Sequence, residues 1–122
     1  MKFYPVDLFG NTYMVRPEIV SYKNNGTLAI ELIDDEDDPF AVLTVNLQGQ
    51  SDLLLGEKDL AYVDTNNCPF ADEFLRESGL GTPVGVYGQS GYCSYPLYRF
   101  DIERIRLEQI ETEKQKQNDY EF

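Results

Sequence analysis

Leu28, Ile30 and Leu32 alternate with Thr27, Ala29 and Glu31, and this period of two marks residues 27–33 as a half-buried strand. Residues 40–47, FAVLTVNL, alternate again, with Ala41, Leu43, Val45 and Leu47 on one face. The two runs are read as an antiparallel pair joined by Asp34-Asp35-Glu36-Asp37-Asp38-Pro39. Upstream, residues 2–9 and 12–19 are aromatic and β-branched runs either side of Gly10-Asn11, a hairpin signal because that pair takes positive φ at low cost. Pro5 lacks a ladder donor and so places the first run at a sheet edge. Asn24-Asn25-Gly26 is the next turn, Leu53, Leu54 and Leu55 form a short strand or a cover for the core, and residues 60–63, LAYV, supply one more strand.

The pattern then changes to a helix period. Asn66 or Asn67 is the expected N-cap, Pro69 falls in the first turn, and Asp72 and Glu73 lie near the positive end of the dipole. Phe70, Phe74 and Leu75 form a narrow apolar face, and Gly79 stands where a left-handed C-terminal residue belongs. Beyond it the chain is dense in Gly and Tyr: residues 84–87 and 92–102 read as strands about the turn Gly88-Gln89-Ser90-Gly91, with Pro96 at an edge or bulge. Asp101 caps a weakly amphipathic last helix over about residues 104–117.

Composition narrows the chemistry. At 122 residues the chain is expected to hold one core. No apolar run is long enough to span a bilayer, and Pro5, Asp7 and Gly10 interrupt any signal-peptide core, so a cytoplasmic protein is expected. Histidine is absent, which removes the Ser-His and Cys-His nucleophile pairs and imidazole metal sites. The net charge of −12 is concentrated: residues 31–77 hold thirteen carboxylates against Lys58 and Arg76. Such a surface is repelled by nucleic acid and anionic membrane and attracted to basic proteins.

Each candidate site has a plainer explanation. Asp34, Glu36 and Asp38 are spaced like the first ligands of a calcium loop, but no glycine stands at its sixth position and Val45 takes the twelfth. A solvated loop that guards a sheet edge is the plain account; a polyanionic face imitating nucleic-acid phosphates, extended by Asp52, Glu57, Asp59 and Asp64, is the sharper one. Cys68 lies where a helix N-terminus would stabilise a thiolate, yet no base accompanies it, and buried reduced thiols are the plainer account of Cys68 and Cys93. Spacing permits a Cys68–Cys93 disulfide, but a cytosolic setting opposes it. Gly85, Gly88 and Gly91 fit neither phosphate-binding motif and are read as turns. Tyr87, Tyr92 and Tyr95 suit a protein contact better than base stacking, since basic residues are missing around them.

The segments YVDTNNCPFADEFLRESGLGTPVG and SGYCSYPLYRFD, with the acidic hairpin and the strand after it, resemble a family of bacterial, phage and conjugative-element proteins classed as a domain of unknown function. The resemblance covers residues 5–103 and implies a mobile-element setting without supplying catalytic residues.

The expected fold is α+β, a mainly antiparallel bent sheet with one short packed helix and a C-terminal helical tail, divided into a domain over 1–103 and a charged helical or partly disordered tail over 104–122. The expected function is non-enzymatic, with no cofactor and no metal. It is that of a small acidic accessory protein that binds and inhibits a host defence protein through its basic surface, a Cas nuclease or another DNA-binding protein, as an anti-CRISPR or anti-restriction factor does. The contact residues expected are Asp34, Asp35, Glu36, Asp37, Asp38, Asp52, Glu57, Asp59, Asp64, Tyr87, Tyr92 and Tyr95. An assembly domain, homodimeric through the tyrosine-rich edge, is the alternative, and a Cys68-centred enzyme or small-molecule binder the third.

Overall fold

A tight hairpin opens the chain. In the computed structural model, which describes residues 2–23, 26–47, 49–50, 54 and 56–120 (backbone alone for 118–120), strand β1 (Tyr4–Leu8) pairs antiparallel with β2 (Asn11–Ser21). The Asn24-Asn25 turn, Asp52, Leu53 and Leu55 lie outside the described residues. Leu8 faces Asn11, so the loop is Phe9-Gly10, with φ of 50° and 82°. This is one residue earlier than Gly10-Asn11. The glycine takes the second loop position, where two-residue hairpins favour it, and Phe9 takes the positive φ at the first, fully in solvent. Pro5 lies on β1, which is the outer strand of its sheet.

Strand β3 (Leu28–Asp34) pairs with β2 from Ser21 back to Val15, and β4 (Pro39–Val42) folds back onto β3, giving the order β1-β2-β3-β4. The single strand expected over 40–47 divides at Leu43. Its N–H donates to the Ile30 carbonyl at 2.8 Å in the first sheet, and its own carbonyl accepts the Asp64 N–H at 2.9 Å. After it, β5 (Thr44–Val45) joins β6 (Leu60–Val63) in a second antiparallel sheet of order β5-β6-β8-β7. The alternation in FAVLTVNL is real, but two cores share it: Leu43 belongs to the main cluster, Val45 and Leu47 to a second.

Between the sheets, helix α1 (Ala71–Ser78) follows the Asp64–Phe70 turn. It starts later than an Asn66 or Asn67 cap requires. Pro69 disfavours helical geometry at Cys68, and Asp64 claims the turn by accepting the Asn67 backbone N–H at 3.1 Å and its side-chain amide at 2.9 Å. The other end is as expected, with Gly79 left-handed at φ 71° and its N–H on the Leu75 carbonyl.

Strands β7 (Gly81–Ser90) and β8 (Cys93–Phe100) form the last hairpin, closed by Gly91-Tyr92 and not by residues 88–91. Residues 84–86 bulge between Pro83 and Tyr87, with Gly85 at φ 83°. Pro96 is on the inner strand β8, past the last pairing with β6 at Tyr62–Leu97, where a missing N–H removes no bond to β6. The main core joins Tyr4, Val6, Val15, Ile30, Leu32 and Leu43 to α1 through Phe74 and Leu75, and to Val63, Tyr98 and Phe100 of the second sheet. The far face of that sheet packs Tyr62, Tyr95 and Leu97 against Leu47 and Leu54.

Helix α2 (Ile102–Tyr120) begins where Asp101 Oδ1 accepts the Arg104 N–H. Because β1 stops pairing at Val15, the outer side of β2 is open from Arg16 onward, and α2 contacts β2 there. Ile105 enters the main core and the Gln109 amide oxygen accepts the Ile19 N–H at 3.0 Å, standing in for a strand partner. The expected C-terminal helix is present, and it packs on β2. Among the described residues no helix is long and apolar enough to cross a membrane.

Candidate functional site

The β3–β4 loop is an acidic projection with an internal frame. Asp34 Oδ1 accepts the backbone N–H groups of Glu36 and Asp38, each at 2.9 Å, and its own N–H donates to the Asp38 carbonyl. Asp37 takes a positive φ of 67°, which short polar side chains tolerate. Its carboxylate turns back to the body: Oδ1 accepts from Arg16 Nη2, and both oxygens accept from Lys116 Nζ at 2.8 and 2.9 Å. Lys116 and Arg16 therefore hold the Asp37 carboxyl below the ordinary range.

Arg16 is the hidden half of this clasp. It is only 4% exposed, on the strand that α2 covers, and it also donates to Glu18 at 2.6 Å. Burial pulls its pKa down, but Glu18 and then Asp37 outweigh that and leave it above the ordinary value. Among the described residues, its Nε is buried without a partner. The signal in the sequence was a lone Arg between Val15 and Pro17 in an apolar strand; nothing local linked it to a loop and a helix far along the chain.

The loop leaves Asp35, Glu36 and Asp38 facing solvent. Of the acids expected to extend it, Asp52 lies outside the described residues and the other three differ in exposure. Asp64 is 8% exposed and caps the turn before α1. Asp59 is half-buried in an ion pair with Arg99 at 2.7 Å. Glu57 is exposed, beside a groove with Lys58 and Arg106. A second acidic group went unforeseen: Asp7 of β1 shares a narrow cleft with Glu73 and Glu77 of α1.

Tyr87 and Tyr92 stand in solvent at the end of the β7–β8 hairpin. Tyr95 does not. It lies in the second core cluster at 8% exposure, because β8 is covered on both faces and alternation alone cannot show that. Cys68 is buried, within 3.4 Å of the Val42 carbonyl, and burial, then Asp64, pushes its thiol up to about 11. Both cysteines are free thiols, Cys68 in the main core and Cys93 at the second cluster, so the disulfide that spacing allowed is absent. Of the three carboxylates spaced like calcium ligands, Asp34 is engaged with backbone N–H groups while Glu36 and Asp38 face solvent. Among the described residues, no group of three or more acidic or thiol side chains is arranged to hold a metal.

Residues 17–120 match the model of a protein family described as a domain of unknown function (DUF4313), a span that includes α2. No curated protein and no solved structure matches the chain.

Proposed function

The chain belongs to the DUF4313 family, a domain of unknown function, and from that premise we propose that it is a non-enzymatic binding protein whose acidic β3–β4 loop docks on the basic surface of a protein partner. A nucleic-acid-binding protein fits best, since a Lys/Arg groove built for phosphates accepts carboxylates in their place. In the cell, this is the work of a mobile-element accessory protein that blocks a DNA-binding defence nuclease of the host, of the CRISPR or restriction kind.

One observation carries the proposal: the loop is framed by two of its own acids. Asp34 and Asp37 are spent on order, so Asp35, Glu36 and Asp38 are presented on a support that need not be rigidified on binding. A loop that merely solvated an edge would not require the link to Arg16 and Lys116.

The test is binding and DNA cleavage with a panel of purified Cas and restriction nucleases. The triple variant Asp35→Asn, Glu36→Gln, Asp38→Asn keeps both framing acids. Wild type should bind and inhibit in low salt, weakening as salt rises, and the triple variant should bind roughly tenfold to a hundredfold more weakly. Undiminished binding by the triple variant, or no binding by wild type to any nuclease of the panel, overturns the proposal.

A further inference from the structure

Residues 78–98 contain no Asp, Glu, Lys or Arg, in a chain whose charged fraction is 26%. That stretch contains all of β7, which is the outer strand of its sheet. Two sheet edges lie free of the junction at Leu43, and they differ. Edge β1 carries Pro5 and Asp7, and α1 touches both β1 and β7, so the helix does not distinguish the two edges. Edge β7 exposes residues 82–87 in an unbroken run, with Val84, Val86 and Tyr87 in solvent and Tyr92 at the adjoining turn.

Natural sheets blunt an open edge with charged side chains, proline, bulges or a covering element. Here the charge is missing. Gln50 covers one residue, its side-chain amide donating to the Gln89 carbonyl at 2.6 Å and accepting the Gln89 N–H at 2.9 Å. Among the described residues, the backbone of 82–87 makes no hydrogen bond outside its own hairpin. Pro83 and the bulge at 84–86 shorten any ladder that can form, which limits pairing to a few residues plus side-chain contact.

We infer that β7 is a self-association surface, where a second copy of this chain pairs antiparallel across a two-fold axis and packs its Val84, Val86, Tyr87 and Tyr92 against the same residues. Charge selects this occupant. Two copies of net charge −12 repel one another over most of their surface, and this uncharged strand is where that repulsion is least. A basic partner, by contrast, finds no carboxylate here. The two-fold arrangement uses the β7 edge of both copies at once, so the assembly closes as a dimer and does not propagate.

Sedimentation velocity on the full chain, from micromolar to near-millimolar concentration and from low to high salt, tests this. We expect a monomer–dimer equilibrium that tightens as salt screens the net charge, the reverse of the salt response expected of partner binding through the acidic loop. Val86→Lys and Tyr87→Glu place like charges opposite one another and should weaken the dimer by about tenfold or more while leaving the unfolding midpoint in place. The triple loop variant should dimerise at least as well as wild type. A monomer at every concentration and salt overturns the inference. So does a dimer that dissociates in high salt, or one that both edge variants leave intact.

Discussion

Replacing Asp37 by Asn tests whether the acidic loop is fastened to the body of the protein. The substitution keeps the shape and removes the charge shared by Arg16 and Lys116. The Lys116 contact is between half-exposed groups and contributes about 0–1 kcal/mol. The Arg16 contact weighs more, because that side chain is 5% exposed and loses one of its two carboxylates while Glu18 stays at 2.6 Å. A charged hydrogen bond is worth about 1.5–3 kcal/mol, and the surviving Glu18 pair holds the loss toward the lower end. The sum is a destabilisation of about 2 kcal/mol at neutral pH, measured by urea denaturation. Because the folded carboxyl titrates below its unfolded value, its contribution is present above the unfolded pKa and is lost as pH falls through the folded one. Wild type and variant should therefore differ at pH 7 and converge once the pH has fallen through the lowered pKa of the folded Asp37 carboxyl. Hydrogen exchange should quicken in the last turns of α2, near Lys116, and stay unchanged around Ile105. A variant within about 0.3 kcal/mol of wild type at pH 7, with α2 protection intact, would refute the clasp.

Leu43, 1% exposed where the two sheets part, should lose about 3 kcal/mol on replacement by Ala, with a single cooperative transition retained in urea. A Cβ at Gly88 would lie 2.5 Å from Leu47 Cδ1 and 2.8 Å from Tyr62 Cε1, so Gly88→Ala should cost about 1–3 kcal/mol and shift the near-ultraviolet signal of the second cluster. Thiol titration of the native chain at pH 8 should modify the half-buried Cys93 and spare Cys68 until denaturant is added; fast labelling of Cys68 would contradict its burial and its raised pKa.

What the sequence declares is local. The Pro5 edge, the glycine-bearing hairpin loop and the left-handed Gly79 each depend on backbone preferences of a few neighbouring residues, and each is found within a residue of its expected place. What it conceals is decided between distant segments. Leu43 divides a run of unbroken alternation because its N–H bonds to Ile30 and its carbonyl to Asp64, and alternation records burial without recording which sheet supplies it. Helix α2 shows no apolar stripe because it docks through single residues, Ile105, Gln109, Thr112 and Lys116, most of them polar. The same limit reshaped the candidate site. A run of five acids looks uniform in sequence, yet two of them hold the loop and three face outward, while Asp64 and Tyr95 go inside for want of any sequence mark that their faces are covered.

The two proposed surfaces are coupled through charge. A net charge of −12 opposes the meeting of two copies at β7, and a basic partner bound to the acidic loop offsets part of that charge. Partner binding then strengthens dimerisation, and by linkage dimerisation strengthens partner binding by the same factor. The coupling acts through the long-range field alone, so it needs no conformational change between loop and strand and must fade as the Debye length shrinks. Measured at low salt, the dimerisation constant should rise when a saturating basic partner is added; at about 1 M salt, where screening acts within about 3 Å, the partner should leave it unchanged. An enhancement that survives high salt would instead require a packed pathway from the β3–β4 loop, which joins two strands of one sheet, to Val84–Tyr87 on the outer strand of the other.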